Sequence, residues 1–291
     1  METYTMNNGL TIPKLGIGTY ILKPAQAEFS VETALKDGYR LVDTANIYMN
    51  ERGVGRGLRK AFDAGVAGRE DVFLTTKLWP SEYKYDDAMR AIDDTLARLG
   101  TDYVDLLLLH QQYGDYMDAY RAMEDMVDMG KVRSIGLSDF SAERFEQVAS
   151  NARIKPAVHQ IETHPYYAER DLAELAAKYG TLIESWFPLG GLDNKTRLMA
   201  DPVVADLAAK YGRTPAQILL RWNIQMGYIA IPGSSDAEHI AENIAVFDFA
   251  LSDDDMALMK TLDRGVRFFT MTEAEQEKAF TGFAPDFNDQ D

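Results

Sequence analysis

Residues 40–48 read Arg40-Leu41-Val42-Asp43-Thr44-Ala45-Asn46-Ile47-Tyr48. A short apolar run carries the chain to an aspartate, and a phenol follows five residues later. The segment from about 51 to 64 has the composition of a helix and stops at Gly65, a residue suited to the left-handed turn that ends helices. The stretch is therefore one strand–helix unit with a carboxylate at its strand end and a tyrosine in its loop. Alone, these two side chains are compatible with ordinary packing.

The same unit recurs on either side. Upstream, 15–20 (LGIGTY) precedes a predicted helix over 25–37 that ends at Gly38. Downstream, apolar runs at 72–79, 104–110, 132–140, 157–164, 181–187 and 227–233 alternate with predicted helices. Those helices span about 81–99, 115–129, a segment capped by Ser141, 169–179, a pair at 201–211 and 214–226, and 237–246. Four consecutive leucines, Leu106–Leu109, show that a strand is apolar on both faces, as a parallel sheet covered by helices requires. Eight such units predict an α/β fold, a (β/α)8 TIM barrel. An open doubly wound sheet is the competing architecture. No strand is followed by a Gly-x-Gly-x-x-Gly turn. The segment Gly53-Val54-Gly55-Arg56-Gly57 has a similar look but lies inside a predicted helix.

Ahead of the first unit, Tyr4 to Ile12 alternate around Asn8-Gly9, a strong hairpin-turn signal. The expected architecture is thus a single domain over 1–291, with an N-terminal β-hairpin cap and two extra helices on the barrel. The acidic tail after Phe268 is either a flap over the barrel mouth or loosely ordered.

Composition narrows the function. The chain has 291 residues, 46% hydrophobic and 26% charged, as in a folded globular enzyme. No cysteine is present, which removes disulfide and thiolate chemistry and fits a reducing, cytoplasmic setting. No secretory leader and no bilayer-spanning run is visible, so no membrane partner is expected. With 30 basic against 46 acidic residues the net charge is −16, which disfavours nucleic acid as a partner.

The strand ends carry the chemistry, because active sites of such barrels lie where the C-terminal ends of the strands converge. Asp43 ends one strand, Lys77 lies near the end of the next and His110 ends the third. Their separations, 77 − 43 = 34 and 110 − 77 = 33, are close to one unit each. With Tyr48, four polar groups reach one rim in three successive units. Carbonyl reduction needs a hydride for carbon and a proton for oxygen. A phenol is a reluctant acid at neutral pH. A nearby ammonium is expected to lower its proton affinity, a carboxylate to hold that ammonium, and a histidine to orient the carbonyl oxygen.

Over essentially its whole length the chain resembles the aldo-keto reductases, in particular the bacterial branch grouped with 2,5-diketogluconate reductase. The motifs that carry the resemblance are the segment ending in Asp43-Thr-Ala-Asn-Ile-Tyr48, Thr-Thr-Lys77-Leu-Trp79, Asp105-Leu-Leu-Leu-Leu-His110, Ile135-Gly-Leu-Ser138-Asp139-Phe140, Gln160-Ile-Glu-Thr-His164, Glu184-Ser-Trp186-Phe-Pro-Leu-Gly and Ile231-Pro-Gly-Ser-Ser. The resemblance implies that Tyr48 donates the proton, Lys77 and Asp43 modulate it, and His110 orients the substrate. It further implies NADP(H) as cofactor, a small carbonyl compound as substrate, and a monomer or weak homodimer.

For the cofactor, the resemblance assigns Ser138 and Gln160 to the nicotinamide carboxamide, with Asp139 where asparagine is usual. Trp186 stands where an aromatic ring stacks on nicotinamide, and Phe187, where a small residue is usual, is followed by Leu189 in the same loop. At the adenosine end the match covers Ser234, Ser235, His239, Glu242 and Asn243. Gly233 replaces a usual lysine and His239 a usual arginine, beside Asp236 and Glu238. Both cations that grip a 2′-phosphate are missing, so NADH or dual use is expected alongside NADP(H).

Tyr20, Trp79 and Gln111 are the expected substrate-pocket walls, with Gln112, Phe268 and Phe269 as further candidates. Two other functions remain. A metal-dependent hydrolase needs clustered ligands, and the four histidines, His110, His159, His164 and His239, share no such spacing, so no metal is expected. A non-catalytic, cofactor-sensing regulatory member of the same fold is the alternative.

Overall fold

The first strand of the barrel hydrogen-bonds to the last, and this closes the sheet. In the computed structural model, which describes residues 1–290 apart from the side chains of Leu192, Asp193 and Lys195, ten strands are present. β1 (Thr3–Thr5) and β2 (Thr11–Pro13) form the antiparallel hairpin. The barrel strands are β3 (Ile17–Gly18), β4 (Leu41–Asp43), β5 (Phe73–Leu78), β6 (Leu106–Leu109), β7 (Ile135–Ser138), β8 (Val158–Glu162), β9 (Leu182–Trp186) and β10 (Ile229–Ala230). They pair in parallel and in sequence order. Closure comes from Gly16 N to Ala230 O (2.9 Å), Gly18 N to Pro232 O (3.0 Å) and Ala230 N to Lys14 O (3.1 Å).

The two-residue alternation of each strand sorts side chains inward and outward. Val42, Leu74, Leu107, Leu109, Leu137 and Ile183 pack outward against helices. Leu41, Phe73, Leu106, Leu108, Val158 and Ile229 point inward and meet Met6 and Ile12 of the hairpin. The hairpin therefore plugs the N-terminal end with apolar groups. It is pinned by Tyr4 to Ile224 O (2.7 Å), Asn7 to Pro156 O (2.8 Å) and Asn8 to Ser134 Oγ (2.9 Å). Fully burying one leucine contributes about 1.5–3 kcal/mol. Asp43, Lys77 and Gln160, polar and buried, lie towards the other end.

The early helices follow the sequence expectation within a few residues: α1 (Pro24–Lys36), α2 (Glu51–Asp63), α3 (Tyr85–Leu99), α4 (Tyr116–Asp128), α5 (Ala142–Asn151) and α6 (Arg170–Ala177). Ser141 caps α5, its side chain accepting from Arg144 N. The later ones are α7 (Gly191–Met199), α8 (Pro202–Tyr211), α9 (Pro215–Gln225), α10 (Ala237–Ile244), α11 (Asp253–Lys260) and α12 (Glu273–Gly282). Twelve helices among the described residues are four more than the eight of a (β/α)8 barrel, where two extra were expected; α7, α11 and α12 were not read from the sequence as helices. α7 starts at Gly190-Gly191, which gives no side-chain cap to read, and α12 is exposed along most of its length.

The glycine cluster is explained by packing. A Cβ on Gly53 would stand 2.1 Å from Pro24 O, on Gly55 2.4 Å from Leu99 O, and on Gly57 2.6 Å from Glu28 O. These glycines let the backbones of α1 and α3 close on α2; they form no phosphate loop. No described helix is long and apolar enough to cross a membrane.

Candidate active site

Asp43 sits at the C-terminal end of β4, and a 3-10 turn over Asn46–Tyr48 brings Tyr48 back over it. Asn50 fixes that loop, donating to Thr19 O (2.8 Å) and Leu22 O (2.9 Å) and accepting from Thr44 Oγ1 (3.0 Å). Lys77, fully buried on β5, reaches Asp43 Oδ1 at 2.6 Å, Oδ2 at 2.8 Å, Thr44 O at 2.9 Å and the Tyr48 oxygen at 3.1 Å. His110 follows β6, its ring edge-on to Tyr48 with centroids 5.5 Å apart. The structure thus brings the four expected residues together.

An ammonium only donates, so Lys77 occupies a lone pair of Tyr48 and the phenolic proton must point elsewhere. Burial pushes the Asp43 carboxyl up, while Lys77 and then Gln160 pull it down. With both oxygens taking donors, we read the pair as carboxylate and ammonium. The effect on Tyr48 differs from the sequence expectation. Burial, then the charges of Asp43, Tyr20, Asp139 and Glu184, raise its proton affinity well above 10.0. Burial, then Lys77, holds His110 well below 6.5, so its imidazole is neutral.

At the nicotinamide side, Ser138 and Gln160 are register partners on β7 and β8. Gln160 Nε2 donates to Asp43 Oδ2 at 2.9 Å, and among the described residues no donor reaches its Oε1. A free acceptor beside a serine hydroxyl fits a carboxamide NH2. Asp139 lies in the left-handed region at φ 56°. Its carboxylate accepts from Trp186 Nε1 (2.8 Å) and Gln111 Nε2 (3.2 Å). Burial pushes it up to about 7 against those bonds. Phe187, also left-handed at φ 55°, lies against Gly191 and Trp186 and faces Tyr20 at 6.4 Å. Leu189 is half-buried against the core.

At the far end, Ser235 and His239 are exposed and Ser234 is half-buried. Asp236 caps α10, accepting from Glu238 N (2.8 Å) and His239 N (3.2 Å). Glu242 takes a bond from Thr214 (2.7 Å), and Asn243 is buried. Gly233 bridges to Gly18, and a Cβ there would lie 3.1 Å from Gly18 O.

On the substrate side, Tyr20 stands 5.1 Å from Tyr48 and Trp79 5.2 Å from His110, ring to ring. Gln111 Nε2 donates to Asp139 Oδ2 at 3.2 Å, and Gln112 Oε1 accepts from Ser141 N at 2.7 Å. Phe268 stacks on His164 at 4.1 Å, away from the tetrad, whereas Phe269 meets Trp186 at 6.1 Å. The tail is a flap. Glu162 accepts the amides of Phe268 and Phe269, Trp79 Nε1 donates to Phe283 O at 2.8 Å, and Phe280 packs on Trp79 and Phe269.

Two participants escaped the sequence reading. Phe280 belongs to a polar tail helix whose docking site is not written locally. Glu184 is fully buried inside the barrel on β9, paired in register with Gln160. An acid within the apolar run 181–187 was the only signal.

The sequence model of the aldo/keto reductase family matches residues 14–264. An aldo-keto reductase of Mycolicibacterium smegmatis is 42% identical over 266 residues, covering 90% of this chain and 94% of that one. Morphine 6-dehydrogenase of Pseudomonas putida is 40% identical over 274 residues, covering 90% and 91%. The crystal structure of a Bombyx mori aldo-keto reductase in complex with NADP superposes with a TM-score of 0.89 at 31% identity, covering 95% and 96% of the two chains.

Proposed function

This chain belongs to the aldo/keto reductase family and is an NAD(P)H-dependent carbonyl reductase, and on that premise we propose that Tyr48 is its acid, held by Lys77 and Asp43, with His110 directing the carbonyl oxygen. One observation carries the assignment: Lys77 Nζ bridges Asp43 (2.6 Å) and Tyr48 (3.1 Å) in a buried site.

The bound nicotinamide supplies the hydride. The neutral His110 ring can donate one hydrogen bond to the carbonyl oxygen and so fix its direction. As negative charge develops there, Tyr48 releases the proton that Lys77 leaves unengaged. A phenol whose proton affinity is high still yields to an alkoxide, which is a far stronger base. The phenolate left behind faces the Lys77 ammonium, which stabilises it. Ser138 and Gln160 are the groups suited to the carboxamide, with Trp186 beside them.

The substrate class follows from the walls. Tyr20, Trp79, Phe187, Phe269 and Phe280 offer aromatic faces, which favour small to medium aldehydes, ketones and dicarbonyls over highly anionic sugars. The missing cations around Gly233 and His239 support use of NADH beside NADPH.

The test is a panel of such carbonyls with either reduced cofactor, followed by nicotinamide absorbance, on the parent protein and Tyr48→Phe. Loss of at least about 10²-fold in kcat is expected, with cofactor affinity retained by fluorescence titration. Turnover largely preserved in Tyr48→Phe overturns the assignment.

A further inference from the structure

Glu184 lies where a second acid has no obvious reason to be. Its side chain is fully buried, and neither carboxyl oxygen finds a hydrogen-bond partner among the described residues. The strand neighbours Ile183 and Ser185 point outward, Ile183 into the helix-facing core and Ser185 Oγ to Thr163 O. Glu184 therefore faces the barrel interior. The residue beside it in register, Gln160, commits its Nε2 to Asp43 and leaves Glu184 only a weak lowering influence.

The groups that face Glu184 are Asp43 of β4, Lys77 of β5 and the Gln160 amide of β8; Tyr48 in turn feels its charge. Thr75, the register partner of Asp43, also has a buried hydroxyl oxygen without a partner. Lys77 and Asp43 already balance each other. An ionised Glu184 would add an unpaired charge to the buried interior, which is among the costliest arrangements a fold can hold. A neutral carboxylic acid avoids that cost.

We propose that Glu184 is a neutral carboxylic acid in the working site and serves, through Asp43 and Lys77, as the positioning residue that sets how readily Tyr48 parts with its proton. The inference rests on Tyr48 being the acid. Burial, followed by the Asp43 charge, pushes Glu184 up to about 8, with Lys77 opposing. Around and below neutral pH the neutral acid leaves Lys77 to stabilise a Tyr48 phenolate. Above about pH 8, Glu184 ionises and its charge resists phenolate formation. Reduction, which needs the phenol protonated, then persists to higher pH. Alcohol oxidation, which needs the phenolate as base, starts at higher pH.

The experiment compares pH profiles of kcat for carbonyl reduction and for alcohol oxidation in the parent protein and Glu184→Gln. The glutamine cannot ionise, so both alkaline limbs are expected to move to lower pH by about one unit, roughly tenfold in rate on the limb. Superimposed profiles, or a loss of the same size at every pH, overturn the proposal. If Glu184→Gln does not fold, infrared spectra of protein labelled with ¹³C-glutamate decide, in a Glu82→Gln background. A labelled carboxylic-acid band that vanishes as pH passes about 8 supports the proposal, and its absence at neutral pH overturns it. Tyr48→Phe separates the two readings. If that variant keeps its turnover, the acid assignment fails. If it is inactive while Glu184→Gln leaves the profiles in place, only the role of Glu184 fails.

Discussion

Gln160 Nε2 donates to Asp43 Oδ2 at 2.9 Å. The residue best suited to receive the nicotinamide carboxamide is thus also a support of the tetrad carboxylate. Cofactor seating and proton delivery share one side chain. Gln160→Leu is therefore expected to weaken cofactor binding and also lower kcat with saturating cofactor. A hydrogen bond to a charged group is worth about 1.5–3 kcal/mol, so roughly a tenfold or larger fall in kcat is expected. Titration by fluorescence and steady-state kinetics check the two effects separately. A variant with weakened binding but parental kcat contradicts the link.

His110 is buried against Lys77, and both features disfavour imidazolium. The sign is simple: a folded value well below 6.5 means the ring stays neutral at every pH where the enzyme is assayed. Its ring proton resonances, assigned by their loss in His110→Gln, are expected to stay fixed between about pH 5.5 and 8, outside the ordinary histidine range. A ring that titrates near 6.5 contradicts the buried geometry.

Much of this site was legible because the strand–helix period fixes where strands end. Asp43, Lys77 and His110 fall about one unit apart, so their convergence needed only the barrel. Glu184 was harder, since a single acid in an apolar strand looks the same whether it faces in or out, and only register decides. The hydrogen bond of Gln111 to Asp139, which follows β7, joins segments that are distant in the chain, and spacing does not give it. Phe280 could not be placed because its partners, Trp79 and Phe269, lie elsewhere in the chain. Burial first, and then the acidic groups around it, raise the Tyr48 proton affinity, and the sequence shows neither the depth of the site nor those neighbours.

Asp236 caps α10 in the region where the family resemblance puts a 2′-phosphate. A carboxylate there repels phosphate, and His239 offers no fixed cation. The parent protein is expected to use NADH within about tenfold of NADPH, whereas a fixed guanidinium pairs with phosphate strongly. Serine preserves the helix cap, so Asp236→Ser with His239→Arg is expected to raise NADPH preference by about tenfold or more. Gly233→Lys is the poorer choice, because a Cβ there crowds Gly18 O at 3.1 Å. Equilibrium binding of the two oxidised cofactors, alongside kcat/KM, checks the shift. A parent preference for NADPH beyond about a thousandfold contradicts the argument.

Gly53 meets the backbone of α1 so closely that a Cβ would stand 2.1 Å from Pro24 O. Relief requires α1 and α2 to separate, which disturbs the packing of Val31 and Val54 between them. Although alanine is the better helix former, Gly53→Ala is expected to destabilise by about 1–3 kcal/mol through overpacking. Chemical denaturation measures it. Unchanged or increased stability contradicts the close-packing account of the glycine cluster.

Three carboxyls hold protons in the folded state that the unfolded chain has already released. Burial pushes Glu184 up to about 8, Asp139 to about 7 and Glu82 to about 7, from ordinary values of 4.5, 3.8 and 4.5. Below those ordinary values the groups are protonated in both states, and their burial is not penalised. As pH rises towards 7–8, the unfolded chain loses these protons more easily than the folded one, so stability falls. Carboxyls held low by cations, such as Glu28 beside Arg56 and Lys60, act in the opposite sense, but only in acid; His110 and His159, neutral when folded, oppose the fall as pH rises through 6.5 but are two groups against three. The melting temperature is therefore expected to fall between about pH 6 and 8.5, and to fall less in Glu184→Gln, which removes one of the three groups. Calorimetric scans across that range check both statements. A parent protein whose stability rises through the window contradicts the first statement, and a variant with the parent slope shows that Glu184 is ionised in the folded state.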